Sequence, residues 1–132
     1  MAICDENSLP IAIHLASASP HEVKLVEETI ARRFVRTYPN CLIADKAYDS
    51  DPLDQKLRQL GIDLIAPHKT NRKKMKTQDG RSLRKYKKRW RIERLFAWLQ
   101  NYRKLVTRYE YKIENFWAFV KLACIMILFK HY

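Results

Sequence analysis

The sequence predicts an α/β domain with a partly parallel sheet, and three observations carry that expectation. Short apolar runs (2–4, 9–17, 41–44 and 62–66) alternate with stretches of helical period, the pattern of a sheet crossed by helices. Two of these runs, Cys41–Ala44 and Ile62–Ala66, are continuous instead of alternating, as expected of strands buried on both faces. With 132 residues, 47% of them hydrophobic, the chain is long enough for one core and too apolar for disorder.

Ala2–Cys4 and Leu9–Ser17, joined by a turn at Asp5–Ser8, read as a hairpin. Ser19-Pro20-His21-Glu22 has the composition of a helix start, with Ser19 as N-cap, Pro20 at the first position and Glu22 at the third. Val23, Val26, Ile30 and Phe34 give that helix an apolar side to about Tyr38, and Pro39-Asn40 breaks it. After the Cys41–Ala44 strand, Asp49-Ser50-Asp51-Pro52 opens a second helix, with Asp49 and Asp51 as cap and first-turn acids. Leu53, Leu57 and Leu60 are expected to face inward, and Gly61 to end the helix. Ile62–Ala66 is closed by Pro67. A helix reaching about Tyr111 and a last helix over Ile113–His131 complete the chain. Phe116–Phe129 is apolar apart from Lys121, too short to cross a membrane, and reads as a buried core helix.

The net charge of +12 is concentrated. Twelve of the 26 Lys and Arg residues lie in Lys69–Arg91 against one acid, Asp79, so this stretch carries +11 of the total. Such a segment beside a folded core is the footprint of a polyanion partner, most simply nucleic acid; the alternative is a solvated basic loop or a disordered tail. Cys4, Cys41 and Cys124 are odd in number and lack Cys-x-x-Cys spacing, so they read as small buried side chains in a reducing cytoplasm. The four histidines lack zinc-site spacing, and no secretion signal opens the sequence.

Tyr86–Lys104 contains no Gly or Pro and sorts by helical period into two faces. Ile92, Leu95, Phe96, Leu99, Tyr102 and Val106 form an apolar stripe, with Tyr86, Arg89, Glu93, Ala97, Gln100 and Lys104 on a flank. Glu93, crowded by Arg89, Arg91 and Arg94, is either a partner in i,i+4 ion pairs or a metal ligand beside a phosphate-binding face. A second carboxylate, Asp45, stands where a strand emerges, the place where functional groups gather in open α/β sheets. Two hard oxygen donors of this kind suit Mg²⁺. Trp90 and Trp98 lie off both faces and read as helix-packing residues, or as platforms for an unpaired base.

Ala44-Asp45-Lys46-Ala47-Tyr48-Asp49-Ser50, followed by Tyr86, Arg89 and Glu93 at Tyr-x2-Arg-x3-Glu spacing, resembles the DDE transposases of bacterial insertion sequences. The surrounding Trp-x-Ile-Glu-Arg-x-Phe-x-Trp-Leu, Arg108-Tyr109-Glu110 and the opening Leu-Pro-Ile-Ala-Ile-His-Leu are similar to that family as well. The likeness covers nearly the whole chain. Where the family signature has Lys, this sequence has Gln100, with Lys104 one helical turn further on.

The resemblance implies a ribonuclease-H-like fold ending in two long helices, in which three acids hold two Mg²⁺ or Mn²⁺ ions for attack on a phosphodiester. Asp45 would be the second acid and Glu93 the third. Tyr86 and Arg89 would contact the backbone of the element's duplex ends, with Lys73, Lys74, Lys87, Lys88 and Lys104 as further DNA-binding cations. The family's first Asp, on its opening strand, has no counterpart here, since Asp5 matches a hairpin turn. The chain is therefore expected to be the carboxy-terminal part of one catalytic domain, inactive by itself. Its expected partners are DNA, a second copy or an upstream-frame polypeptide, in a bacterial cytoplasm at the nucleoid. The rivals are a non-catalytic basic DNA-binding module on the same scaffold and an α/β interaction domain with a solubilising basic face.

Overall fold

The computed structural model describes residues 1–17, 19–77 and 80–131; Gln78 and Asp79 of the basic segment lie outside it. Strands β1 (Ala2–Cys4) and β2 (Pro10–Ile13) form an antiparallel hairpin pairing Ala2 with Ile13 and Ile3 with Ala12. Strands β3 (Cys41–Ile43) and β4 (Asp63–Ile65) pair in parallel, Leu42 opposite Leu64. Between them run helices α1 (Glu22–Ala31) and α2 (Asp51–Gln59). The carboxy-terminal half is helical: α3 (Gly80–Leu83), a 3₁₀ helix over Arg84–Arg89, α4 (Trp90–Gln100), α5 (Arg103–Val106) and α6 (Ile113–His131). The α/β class and the mixture of parallel and antiparallel pairing are as expected, but the described residues form two separate two-stranded sheets.

The hairpin divides two cores. Alternate residues of a strand point to opposite faces, so Ile3 and Ala12 join Val26, Ile30, Leu57 and Ile62 on one side. On the other side, Leu9 and Ile13 join Leu95, Leu99, Val120 and Ile127. Asp5 shapes the hairpin turn, its Oδ1 accepting from the Asn7 and Leu9 N–H groups at 2.8 Å each, which is the turn role expected of it. Arg94 then fastens α4 to this turn, donating to the Ser8 hydroxyl at 2.8 Å and the Asn7 carbonyl at 2.7 Å.

Several expected boundaries shift. Helix α1 is capped by His21, whose Nδ1 accepts from the Val23 N–H, and not by Ser19. It stops at Ala31, well short of Tyr38, because the following residues pair with β2. Arg33 bridges to Ala12 and the Phe34 N–H donates to the Ile11 carbonyl at 2.7 Å, so sheet pairing overrides local helix preference. Strand β2 ends at Ile13, whose partner Ala2 begins β1, so the expected continuation to Ser17 has no strand beside it. Residues 41–43 are half-buried, not enclosed on both faces, since β3 belongs to a sheet of only two strands.

Helix α2 closes as expected at Gly61, in a left-handed conformation with φ of 73°. The Ile62 N–H reaches back to the Leu57 carbonyl and the Gly61 N–H to that of Arg58, the paired bonds of a Schellman motif. Leu57 and Ile62 are fully buried, but Leu60, expected inside, is 41% exposed because it caps the helix. The single helix expected from Tyr86 to Tyr111 is three pieces, broken where Tyr102 turns extended, so only one of the two long carboxy-terminal helices forms. Helix α6 has the expected span but buries one face only; Leu122, Ile125, Met126 and Phe129 are exposed. Among the described residues no helix is long and apolar enough to cross a membrane.

Candidate functional site

Asp45 stands two residues beyond the end of β3 and caps the 3₁₀ turn Lys46–Tyr48, its Oδ1 accepting from the Ala47 N–H at 2.8 Å. The half-buried carboxylate sits near Tyr48, whose hydroxyl bonds Glu22 at the start of α1. Burial first, then the Glu22 and Asp45 charges, push the Tyr48 phenol well above its ordinary value and keep it a neutral donor.

Glu93 lies in the first turn of α4 and pairs with Arg89 at 2.9 Å, both side chains substantially exposed. An exposed i,i+4 pair of this kind contributes only ~0.3–0.5 kcal/mol, so it is easily exchanged for another partner. The Arg84–Arg89 helix that leads into Glu93 packs against β3, the strand that delivers Asp45. Glu93 itself stands on α4, the helix that continues from that segment. Among the described residues, no group of three or more His, Cys, Asp or Glu side chains converges on a metal-binding position.

The basic residues divide by environment. Lys73, Lys74, Lys87 and Lys88 are exposed, with Lys74 3.2 Å from Asp51. Tyr86 is half-buried, with the Arg89 guanidinium 5.7 Å from its ring centre. Lys104 is not on the Glu93 helix. The break at Tyr102 places it on α5, where it pairs with Glu110 at 3.5 Å and lies near the Phe119 ring, so the shared flank expected from an unbroken helix does not form. Arg94, expected beside Glu93, is held by the hairpin turn and lies over Trp90 and Trp98. Trp98 stacks on His131 with ring centres 4.1 Å apart, as a packing residue would.

One cluster was not anticipated. Asp49 was expected to cap α2, but Ser50 holds that position and makes no side-chain cap bond. The Asp49 carboxylate, 7% exposed, instead accepts from the Lys69 N–H, His68 Nδ1 and Arg72 at 2.8–2.9 Å. Burial works to raise its carboxyl; the Lys69 N–H, His68 and Arg72 outweigh that and hold it below its ordinary value. The only sequence signal was an Asp-Ser-Asp ahead of a basic run, which helix capping explained equally well.

Residues 1–128 match the family model described as the transposase DDE domain. The chain belongs to the DDE transposase family. A relative in Burkholderia cepacia, assigned as the transposase for insertion sequence element IS402, is 32% identical over 133 residues, covering 95% of this chain. The match spans 59% of the relative's length, so this transposase-family chain corresponds to little more than half of it. No solved structure matches the chain. The family assignment therefore agrees with the Asp45, Tyr86, Arg89 and Glu93 motifs.

Proposed function

We propose that the chain serves DNA transposition as the carboxy-terminal part of an insertion-sequence transposase, cutting and joining phosphodiesters at the duplex ends of its element. The observation that carries this reading is the packing of β3 on the Arg84–Arg89 helix within a chain matched to the DDE domain over residues 1–128. That packing supports Asp45 and Glu93 as members of one site, the second and third acids.

Both are hard oxygen donors, one half-buried and one exposed, and so fit Mg²⁺ or Mn²⁺ in chemical kind. When bound, such ions activate water or a 3′-hydroxyl and stabilise the leaving oxygen. The protein's own part is positioning. Asp45 is fixed by its bond to the Ala47 N–H, and Arg89 is free to leave Glu93 for a backbone phosphate near the cleavage point. Tyr86, beside Arg89, would orient the same phosphate. Exposed Lys73, Lys74, Lys87 and Lys88 would neutralise the flanking backbone.

In this reading the two small sheets are parts of one ribonuclease-H-like sheet. A strand carrying the first acid, supplied by polypeptide outside these 132 residues, would lie between them. For the isolated chain the second reading is a basic DNA-binding module without catalysis, because the family's first Asp has no counterpart in this sequence. An in-frame fusion to the upstream polypeptide tests both. The fusion is expected to cleave element ends with Mg²⁺, and Asp45→Asn or Glu93→Gln to abolish cleavage while leaving DNA binding largely intact. Cleavage by residues 1–132 alone that survives either substitution would reject the proposal.

A further inference from the structure

Five cations fall between Lys69 and Lys76, and one of them faces inward. Arg72 is 10% exposed and bonds Asp49 at 2.8 Å, Asp51 at 2.7 Å and the Met75 carbonyl. His68, equally buried, bonds Asp49 through Nδ1, and its Nε2 accepts from the Thr77 N–H at 3.2 Å. These bonds fix the tautomer, with the proton on Nδ1 facing the carboxylate. Both ends and the middle of the loop 68–77 therefore hang on one buried carboxylate. That carboxylate stands four residues beyond Asp45, across the 3₁₀ turn Lys46–Tyr48.

Held in this way, the loop presents Lys73, Lys74 and Lys76 to solvent in one arrangement. A free ten-residue loop would have to be ordered when it met a ligand, at the expense of affinity. Resting on the reading of this chain as DNA-binding, we propose that Asp49, through His68 and Arg72, is a positioning residue. It holds the loop so that Lys73, Lys74 and Lys76 engage the DNA backbone beside Asp45. An acid buried beneath the basic segment then strengthens binding to a polyanion, and Arg72 serves the loop without touching the phosphates. Lys74 exchanges Asp51 for a phosphate when DNA arrives.

The sign of one measurement separates this role from bulk electrostatics. Removing a negative charge from a cationic surface should tighten DNA binding if charge alone matters. The test measures binding of a fluorescent duplex oligonucleotide to the full chain against salt. The variants are Asp49→Asn, Arg72→Lys and, as a destabilised core control, Val26→Ala, all at a temperature where circular dichroism shows them folded. Asp49→Asn and Arg72→Lys are expected to bind about 3- to 10-fold more weakly, with the slope of log K against log salt reduced by about 1–2. Val26→Ala is expected to keep the wild-type slope. Hydrogen exchange is expected to show the Lys69 and Thr77 amides losing protection in Asp49→Asn while the α1 amides keep theirs. No binding by the wild type would overturn the DNA reading and this role with it. Wild-type binding matched or exceeded by Asp49→Asn and Arg72→Lys would overturn the positioning role alone. A slope lowered equally in Val26→Ala would also overturn it.

Discussion

His14 and Asp49 are both buried, yet their environments act on them differently. His14 is 4% exposed, its Nε2 lies 3.6 Å from Glu28, and its Nδ1 has no hydrogen-bond partner among the described residues. Burial first and the Arg32 charge second lower its affinity for a proton; Glu28 opposes them and does not prevail. Below the unfolded value of about 6.5, the unfolded chain takes up a proton that the folded chain resists, so stability falls as pH drops through that region. Asp49 has the same sign of linkage in a lower pH window, though burial opposes its shift and its hydrogen bonds cause it. Its folded value lies below the unfolded value of about 3.9, so its contribution is present above that pH and is lost as pH falls towards the folded value. Thermal melts should therefore show two acid-sensitive windows. His14→Gln is expected to flatten the first, just below pH 6.5, and Asp49→Asn the second, below pH 4. A wild-type melting temperature constant from pH 7 to 5 would contradict the first assignment.

Gly61 shows what one position does for an element. Its positive φ allows the α2 chain reversal that buries Leu57 and Ile62 together, and nothing lies within 4 Å of where a Cβ would stand. Gly61→Ala therefore incurs only the left-handed conformational penalty, expected to lower unfolding free energy by about 1–2 kcal/mol in denaturant titrations. The basic elements make a different prediction. Replacing Lys73, Lys74, Lys87 and Lys88 with Gln should flatten the dependence of duplex binding on salt by up to about 4 in slope, since each phosphate contact contributes about 0.9. An unchanged slope would remove these residues from the interface. Elements were legible where local chemistry decided them. The Gly61 stop and the Ile113–His131 helix were readable from punctuation and composition. The end of α1 was not, because Phe34 has a good helical spacing and is diverted by a hydrogen bond to Ile11, 23 positions earlier in the chain.

Across the whole molecule, apolar surface is left uncovered. Leu122, Ile125, Met126 and Phe129 recur at helical spacing on α6 and are 46–84% exposed, and both sheets have only two strands among the described residues. Open strand edges and contiguous apolar surface both promote association. The isolated chain is expected to be marginally soluble. Leu122→Gln combined with Phe129→Gln should raise its soluble yield while leaving the melting temperature nearly unchanged, since neither side chain is buried. A fall in melting temperature comparable to that of a core substitution would show that α6 packs on both faces. Burial pushes the thiols of half-buried Cys4 and buried Cys124 up to about 11, which leaves them unreactive at neutral pH; of the three cysteines expected inside, only Cys124 is fully enclosed, Cys41 being half-buried like Cys4.

The sequence by itself determined the α/β class, the concentration of positive charge, the hairpin turn at Asp5, and the family, through the spacing of Asp45, Tyr86, Arg89 and Glu93. All of these are properties of residue type and short-range order, which a linear pattern retains. Only the tertiary structure decided that the Tyr86–Tyr111 segment breaks at Tyr102 and that Lys104 turns to Glu110. It also decided that Arg94 holds the hairpin and that Asp49 ties down the basic loop. The last three of these outcomes rest on partners between 6 and 87 positions away, as Arg94 and Asn7 are. Local propensity is nearly indifferent between an arginine that faces a nearby glutamate and one that reaches a distant carbonyl. The pair of hydrogen bonds to the hairpin turn, available only once the chain has folded, settles the choice.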